Sequence, residues 1–162
     1  MKSICVGLLC LLGCTVLAWA GEPPEADVKP VLFYEDTTAN LILSSIIKLN
    51  WFQAQAACAS MGAHLVSFAN QEAQNAVVTF LIASGLWNEL TEPLWTSGSN
   101  LANAREWMWL DTGKPMTYRN FRTQPSTSYN CVGFNAQTSF WTAESCNTLR
   151  YFVCKKTAYT CE

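Results

Sequence analysis

The chain has 162 residues, half of them apolar and only 14% charged, with a formal net charge of −2 at pH 7. This length is enough for one domain with a sizeable apolar core and too short for two ordinary domains. The weak acidity and the lack of clustered Lys and Arg exclude nucleic acid as an expected partner.

The first twenty residues have the pattern of a secretory signal peptide. Lys2 precedes an apolar run that ends in the small-residue pattern Ala18-Trp19-Ala20. A membrane anchor is the alternative, but the run falls short of a comfortable bilayer span and ends in a cleavage pattern. We expect residues 1–20 to be removed and the protein to be secreted into the extracellular space with no membrane anchor.

The cysteines predict disulfide bonds. Three of the eight lie in the signal peptide, which leaves Cys58, Cys131, Cys146, Cys154 and Cys161 in an oxidising compartment. Because five is an odd number, at least one thiol is free, bonded to a small thiol or joined to another chain. A zinc site is the competing use of clustered cysteines, but the sequence has no Cys-x-x-Cys and only one histidine, so we expect no zinc.

The N-terminal half of the secreted chain predicts a flexible leader, two strands and a helix. Residues 21–30 contain three prolines and almost no large apolar side chains, so they form the leader. Strands are expected over 31–35 and 40–48. Asn50 can cap a helix with an apolar stripe that faces the core and comprises Trp51, Ala54, Cys58 and Met61.

A short strand over 64–68 and a second helix come next. Asn70 begins this helix and Gly85 ends it, and its apolar face comprises Ala73, Val77, Phe80 and Leu81. From Leu94 onward, short runs rich in Trp, Tyr, Phe, Val and Thr alternate with turn residues, which is typical of strands. Two helices followed by several strands predict an α+β domain with helices packed on a mostly antiparallel sheet.

Several motifs occur in a specific order with four of the cysteines. They are Leu49-Asn50-Trp51-Phe52, Cys58, Leu94-Trp95-Thr96-Ser97-Gly98, Trp107-Met108-Trp109-Leu110-Asp111, Tyr118-Arg119-Asn120-Phe121, Gln124-Pro125, Asn130-Cys131-Val132, Phe140-Trp141, Cys146 and Tyr151-Phe152-Val153-Cys154. In this order the chain resembles the C-type lectin-like domain from about residue 31 to Lys155. The resemblance implies the α+β C-type lectin-like fold with a long loop region, in the short form without an N-terminal disulfide.

The resemblance also implies two intradomain disulfides, which join Cys58 to Cys154 and Cys131 to Cys146. Spacing alone allows three pairings of these four cysteines. The domain is then expected over 31–155, with a C-terminal tail over 156–162. Cys161 lies in that tail as an unpaired or intermolecular cysteine, and a disulfide-linked homodimer through Cys161 is one outcome.

Sugar-binding members of the family hold a calcium ion with side-chain oxygens, several of them carboxylates, that also contact sugar hydroxyls. The tripeptide that is Gln-Pro-Asp in some members is here Gln124-Pro125-Ser126. The glutamate expected two residues before Cys131 is Tyr129, and the expected Asn-Asp pair is Thr142-Ala143. Only Gln124 is clearly retained among the side-chain ligands that the resemblance implies.

The charge of the same stretch agrees with this comparison. No Asp or Glu lies between Asp111 and Glu144. We therefore expect no calcium at the family's primary site, and no other metal or cofactor. A shifted site that uses Glu144, Asp111 or backbone carbonyls is the alternative.

The ligand-binding residues are carried over from the family's positions and are Gln124, Ser126, Tyr129 and Thr142. Their loop offers amide, hydroxyl and aromatic groups to a sugar or a protein, and a solvated polar loop is the alternative. Pro125 in the family commonly follows a cis peptide bond. Arg119 and Arg122 are candidates for contact with an acidic ligand such as a sulfated glycan, or are scattered surface charges.

The tryptophans of the motifs are expected in the core rather than on a ligand platform, because large aromatic side chains at strand positions are usually buried. This applies to Trp51, Trp107, Trp109 and Trp141. Stacking of Tyr129 or Trp141 on a pyranose is the competing interpretation.

Catalysis is the least supported class of function, so we predict no catalytic residues. The single histidine, His64, lies in an expected strand, and the serine-rich loop has no nearby base to activate a nucleophile. Carbohydrate binding without the usual calcium site and binding of an extracellular protein or matrix component are weighted equally from these residues, although the family as a whole favours lectin.

Overall fold

The computed structural model describes residues 33–128 and 130–157. The predicted signal peptide and leader, Tyr129 and Cys161 lie outside the described residues. Two helices, nine strands and one 3-10 turn at Trp87–Glu89 are described. In chain order they are β1 (Phe33–Asp36), β2 (Leu41–Ser44), α1 (Trp51–Ser60), β3 (Ala63–Leu65), α2 (Gln71–Ala83), β4 (Leu94–Ser99), β5 (Met108–Trp109), β6 (Lys114–Pro115), β7 (Cys131–Phe134), β8 (Trp141–Glu144) and β9 (Val153–Lys156).

The strands form two sheets in which every named pair is antiparallel. One sheet has the order β1-β2-β9-β3, and the other has the order β6-β5-β4-β7-β8. A bridge between Trp95 and Phe152 connects β4 to the start of β9. An ion pair between Glu35 and Lys156 ties the first strand to the last. The predicted α+β class is therefore confirmed.

Helix α1 begins at its predicted cap. Asn50 Oδ1 accepts a hydrogen bond from the Gln53 backbone N–H at 2.9 Å, and Gln53 Oε1 accepts one from the Asn50 N–H at 3.2 Å. This reciprocal pair satisfies two backbone donors that have no partner within the helix. The predicted apolar stripe faces the core, with Trp51, Ala54 and Cys58 buried and Met61 half-buried at the helix end.

Helix α2 also begins at its predicted cap. Asn70 Oδ1 accepts from the Ala73 N–H at 2.8 Å, and Gly85 has a φ of 74° just after the helix, a conformation that glycine adopts without strain. Three of the four residues of its predicted stripe are buried, and Ala73 is half-buried.

The strand predicted over 64–68 is shorter than expected. β3 covers only Ala63–Leu65, because the next residue contacts two different strands. The Val66 N–H donates to the Val153 carbonyl, and the Val66 carbonyl accepts from the Ser97 N–H, both at 2.9 Å. At Val66 the chain therefore passes from one sheet to the other. The strand predicted over 40–48 likewise ends at Ser44, and Leu49 forms an isolated bridge with Arg150.

Both implied disulfides are confirmed. Cys58–Cys154 joins α1 to β9, and Cys131–Cys146 joins the start of β7 to the segment after β8. All four tryptophans expected in the core are buried, with exposed fractions of 3% for Trp51, 5% for Trp107, 4% for Trp109 and 1% for Trp141. Trp141 is therefore not a platform for a sugar ring.

Candidate functional site

The segment of residues 120–122 lies beside the first residue of β8 as an added edge to the second sheet. The Trp141 N–H donates to the Asn120 carbonyl at 2.8 Å, and the Arg122 N–H donates to the Trp141 carbonyl at 3.1 Å. The Asn120 side-chain amide also donates to the Ser139 carbonyl at 2.7 Å. These bonds fix the backbone that leads into the predicted binding loop.

An aromatic floor supports this segment. The Phe121 ring packs against Trp107 and Trp141, with ring centroids 5.1 and 5.5 Å away. Trp141 Nε1 donates at 2.7 Å to Oε1 of Gln74, a fully buried residue of α2. The Tyr118 ring also packs on Trp141, and burial raises the pKa of the Tyr118 hydroxyl. The loop therefore rests on a fixed part of the core.

Above this floor lies a cleft of about 260 Å³, which we call the arginine cleft. It is lined by Arg119, Phe121, Arg122, Thr123, Gln124 and Pro125. Both arginine side chains are exposed, and Arg119 Nε donates to the Met116 carbonyl at 3.1 Å. The Gln124–Pro125 peptide bond is trans, because the described residues contain no cis peptide bond, so the family's common cis bond is not present here.

The four predicted site residues have different surroundings. Gln124 lines the arginine cleft, and the exposed Ser126 follows it, with its hydroxyl accepting from the Ser128 N–H at 3.0 Å. The Thr142 hydroxyl instead donates at 2.9 Å to Glu144, a neighbour on the same strand. Residues two apart on a strand share a face, so Thr142 lies on the face opposite Trp141. Tyr129 lies outside the described residues.

The face of β8 that carries Thr142 holds a network of ion pairs. Glu144 pairs with Arg150 at 2.8 Å, Arg150 pairs with Glu92 at 3.2 Å, and Glu92 pairs with Lys48 at 2.8 Å. The Lys48 ammonium also lies 5.0 Å from the centroid of the Tyr151 ring. Glu144, the first carboxylate in the sequence after the predicted binding loop that begins at Gln124, is thus held by an arginine.

Asp111, the last carboxylate in the sequence before the predicted binding loop, also has its own partners. Asp111 accepts hydrogen bonds from Ser97 at 2.6 Å and from Ser67 at 2.5 Å, and its side chain is only 2% exposed. His64 Nδ1 is 3.8 Å from its Oδ2. Among the residues that the structure describes, no three His, Cys, Asp or Glu side chains are grouped closely enough to hold a metal ion.

Two contributors to the site were missed or undervalued in the sequence. Gln74 was not singled out, although with Val77 and Leu81 it follows the same helical spacing as the apolar stripe. Phe121 was noted only as part of a motif. Its place three residues before Gln124 gives no indication that its ring supports the cleft, because that depends on pairing with β8.

The ion-pair network gives a pH-dependent prediction. The hydrogen bond from Lys48, together with the nearby Lys48 and Arg150 charges, lowers the pKa of Glu92 below its ordinary value of 4.5. The ionised carboxylate therefore stabilises the folded state above that value, and this contribution is lost as the pH falls through the lowered pKa. Glu92 is 46% exposed, so we expect Glu92→Gln to cost only about 0.5 kcal/mol at pH 7.

Thermal unfolding of the unmodified protein and of Glu92→Gln from pH 3 to pH 7 would measure this effect. The difference in stability between the two proteins should shrink below about pH 4 and in high salt. A constant difference across the whole range would contradict the assignment of the pH dependence to Glu92.

A family model for the lectin C-type domain matches residues 47–156, which run from shortly after β2 to the end of β9. The chain belongs to the C-type lectin domain family. The resemblance stated from the sequence motifs is thereby confirmed, and the two sheets, two helices and two disulfides are those of a C-type lectin-like fold.

Individual relatives of this C-type lectin domain are distant. It is 30% identical over 129 residues to human CD209 antigen, covering 75% of this chain and 30% of that protein. It is 28% identical over 112 residues to the galactose-specific lectin nattectin of Thalassophryne nattereri, covering 67% of this chain and 68% of nattectin. The chain therefore spans less than a third of CD209 antigen and about two thirds of nattectin.

Among solved structures, herring type II antifreeze protein matches with a TM-score of 0.62 at 23% identity, covering 81% of this C-type lectin domain and 100% of that chain. At this identity the match shows a common fold. Neither helix in the described part of the chain has the length and apolar character needed to cross a bilayer.

Proposed function

We propose that this chain is a secreted, non-catalytic lectin that binds carbohydrate in the arginine cleft without a calcium ion at the family's primary site. The observation that carries the proposal is the cleft itself, where an amide, a hydroxyl, two guanidinium groups and an aromatic ring converge on one concave surface. Sugars are recognised by such combinations of hydrogen-bonding groups and apolar faces. The described relative nattectin, a galactose-specific lectin, is a further support.

The chemistry of the donors supports binding without calcium. A calcium ion takes six to eight oxygen ligands, several of which are carboxylates in most protein sites. The cleft residues include no carboxylate, and the flanking carboxylates of Asp111 and Glu144 already accept hydrogen bonds from serines and from Arg150. A cleft lined with two arginines repels a divalent cation.

The test is binding of the purified protein, expressed with its own N-terminal segment and collected from the culture medium, to a glycan array. We expect binding that persists when calcium is replaced by a chelator and that free sugar inhibits. Binding abolished by the chelator would show that a rearranged metal site exists.

Mass spectrometry of the same sample should give a chain that begins at Gly21, as cleavage after Ala20 requires.

Recognition of an extracellular protein is the second candidate. It is favoured by the four large apolar side chains among the described residues that are each at least half exposed, Ile46, Phe52, Ile82 and Leu149. A folded sample that binds no glycan would favour this candidate.

Non-reducing electrophoresis would determine whether Cys161 links two chains, because a single monomer band with one titratable thiol excludes the homodimer.

A further inference from the structure

The stretch that contains the arginine cleft has an unbalanced positive charge. From residue 112 to residue 143 the sequence contains Lys114, Arg119 and Arg122 and no Asp or Glu. Both arginines line the same small cleft, so their charges act on one volume. Such a cluster attracts anions, and the attraction is greater in a concave site than on an open surface.

These arginines have no carboxylate partner among the described residues. The ion pairs there involve Lys48, His64, Arg150 and Lys156. Arg119 Nε donates to the Met116 carbonyl, which orients the guanidinium group, and its two terminal nitrogens have no hydrogen-bond partner among the described residues. Arg122 is fixed at its backbone by the bond to the Trp141 carbonyl, while its side chain is exposed.

The shape of the cleft limits what it can hold. Its volume of about 260 Å³ lies below the roughly 300–1,000 Å³ of sites for drug-sized ligands, so one monosaccharide unit fits and a longer chain would extend into solvent. The half-buried Phe121 ring offers an apolar wall for the carbon face of a pyranose, and Gln124 offers an amide for its hydroxyls.

We propose that the arginine cleft selects anionic saccharide units, with Arg119 and Arg122 contacting a sulfate ester or a carboxylate. This inference rests on the proposed carbohydrate-binding function and names the ligand class of the same site. A planar guanidinium group donates two parallel hydrogen bonds to the oxygens of such an anion, which a neutral hydroxyl cannot match. The two guanidinium groups would supply the positive charge that a calcium ion supplies in the family's usual site.

The experiment compares matched immobilised glycans: N-acetyllactosamine, its 6-sulfated form and its sialylated form. We expect the unmodified protein to bind at least one anionic form about tenfold or more tightly than the neutral form, with binding that weakens as salt increases. The sulfated and sialylated forms separate the two sources of negative charge. Arg119→Gln and Arg122→Gln should each reduce anionic binding about tenfold, and Arg119→Lys should retain part of it.

Arg105→Gln is the matched control, because Arg105 is also an exposed arginine and its loss changes the net charge equally. It should leave binding unchanged. An equal loss in Arg105→Gln would mean that net charge alone attracts the glycan, which overturns the cleft proposal. Equal binding of neutral and anionic forms, unaffected by the arginine variants, overturns the anionic selection and leaves carbohydrate binding standing. No binding of any glycan by the folded protein overturns both.

Discussion

Removing the long disulfide, by Cys58→Ala together with Cys154→Ala, is expected to lower the free energy of unfolding by about 4.7 kcal/mol. The bridge spans 96 residues and ties α1 to the last strand, so it closes most of the domain into one loop. In the unfolded chain this closure removes conformational freedom in proportion to the logarithm of loop length. A loss of this size is a large part of the roughly 5–15 kcal/mol that stabilises an ordinary domain.

The second bridge provides the matched comparison. Cys131–Cys146 spans only 15 residues, so its removal should cost about 3 kcal/mol. All four cysteines are buried, and each double variant removes two sulfur atoms, so the difference between the variants reports mainly on loop length. Denaturant unfolding followed by circular dichroism measures both. An equal or greater loss from the short bridge would contradict the loop-length explanation.

Trp141→Ala is expected to cost about 3–5 kcal/mol of unfolding free energy. The side chain is 1% exposed, and its ring packs against Phe68, Trp109, Tyr118 and Phe121. Its removal leaves a cavity at the point where α2, the second sheet and segment 120–122 meet. It also removes the shorter of two hydrogen bonds to Oε1 of the buried Gln74 side chain, which leaves the one from the Tyr118 hydroxyl at 3.3 Å.

Two variants separate these contributions. Trp141→Phe keeps an aromatic ring and loses the hydrogen bond, so it should cost less than alanine. Ile82→Ala on α2 removes an apolar side chain that is 57% exposed and should stay within about 0.5 kcal/mol of the unmodified protein. Denaturant unfolding measures all three, and a similar loss for Ile82→Ala and Trp141→Ala would refute the assignment of Trp141 to the core.

Local features of this fold were predictable because they depend on neighbouring residues. Asn50 and Asn70 indicated both helix starts, since a cap requires only a side-chain oxygen and a backbone N–H a few residues later. The spacing of apolar residues likewise predicted which face of each helix is buried. The disulfide pairing came from the family resemblance, since spacing left three choices.

The surroundings of the site were harder to predict because they depend on which distant segments meet. The alternation of side chains along β8 places Thr142 on the face opposite the buried Trp141, and this could be predicted. The pairing of segment 120–122 with Trp141, which leads the chain towards Gln124 beside this strand, could not. The engagement of Glu144 by Arg150 needs the chain to turn back after β8. Binding by the carried-over residues Gln124, Ser126, Tyr129 and Thr142 stays a prediction.

β1 and β9 lie on either side of β2 in one sheet and are linked by the ion pair between Glu35 and Lys156, whereas the arginine cleft is built on the other sheet. A linker, a tag or a surface attached beyond either of these strands therefore joins the molecule on the sheet that does not carry the cleft. Under the proposed anionic selection, a polymer with many repeated acidic units would bridge the clefts of several anchored copies, and its retention would grow steeply with their density.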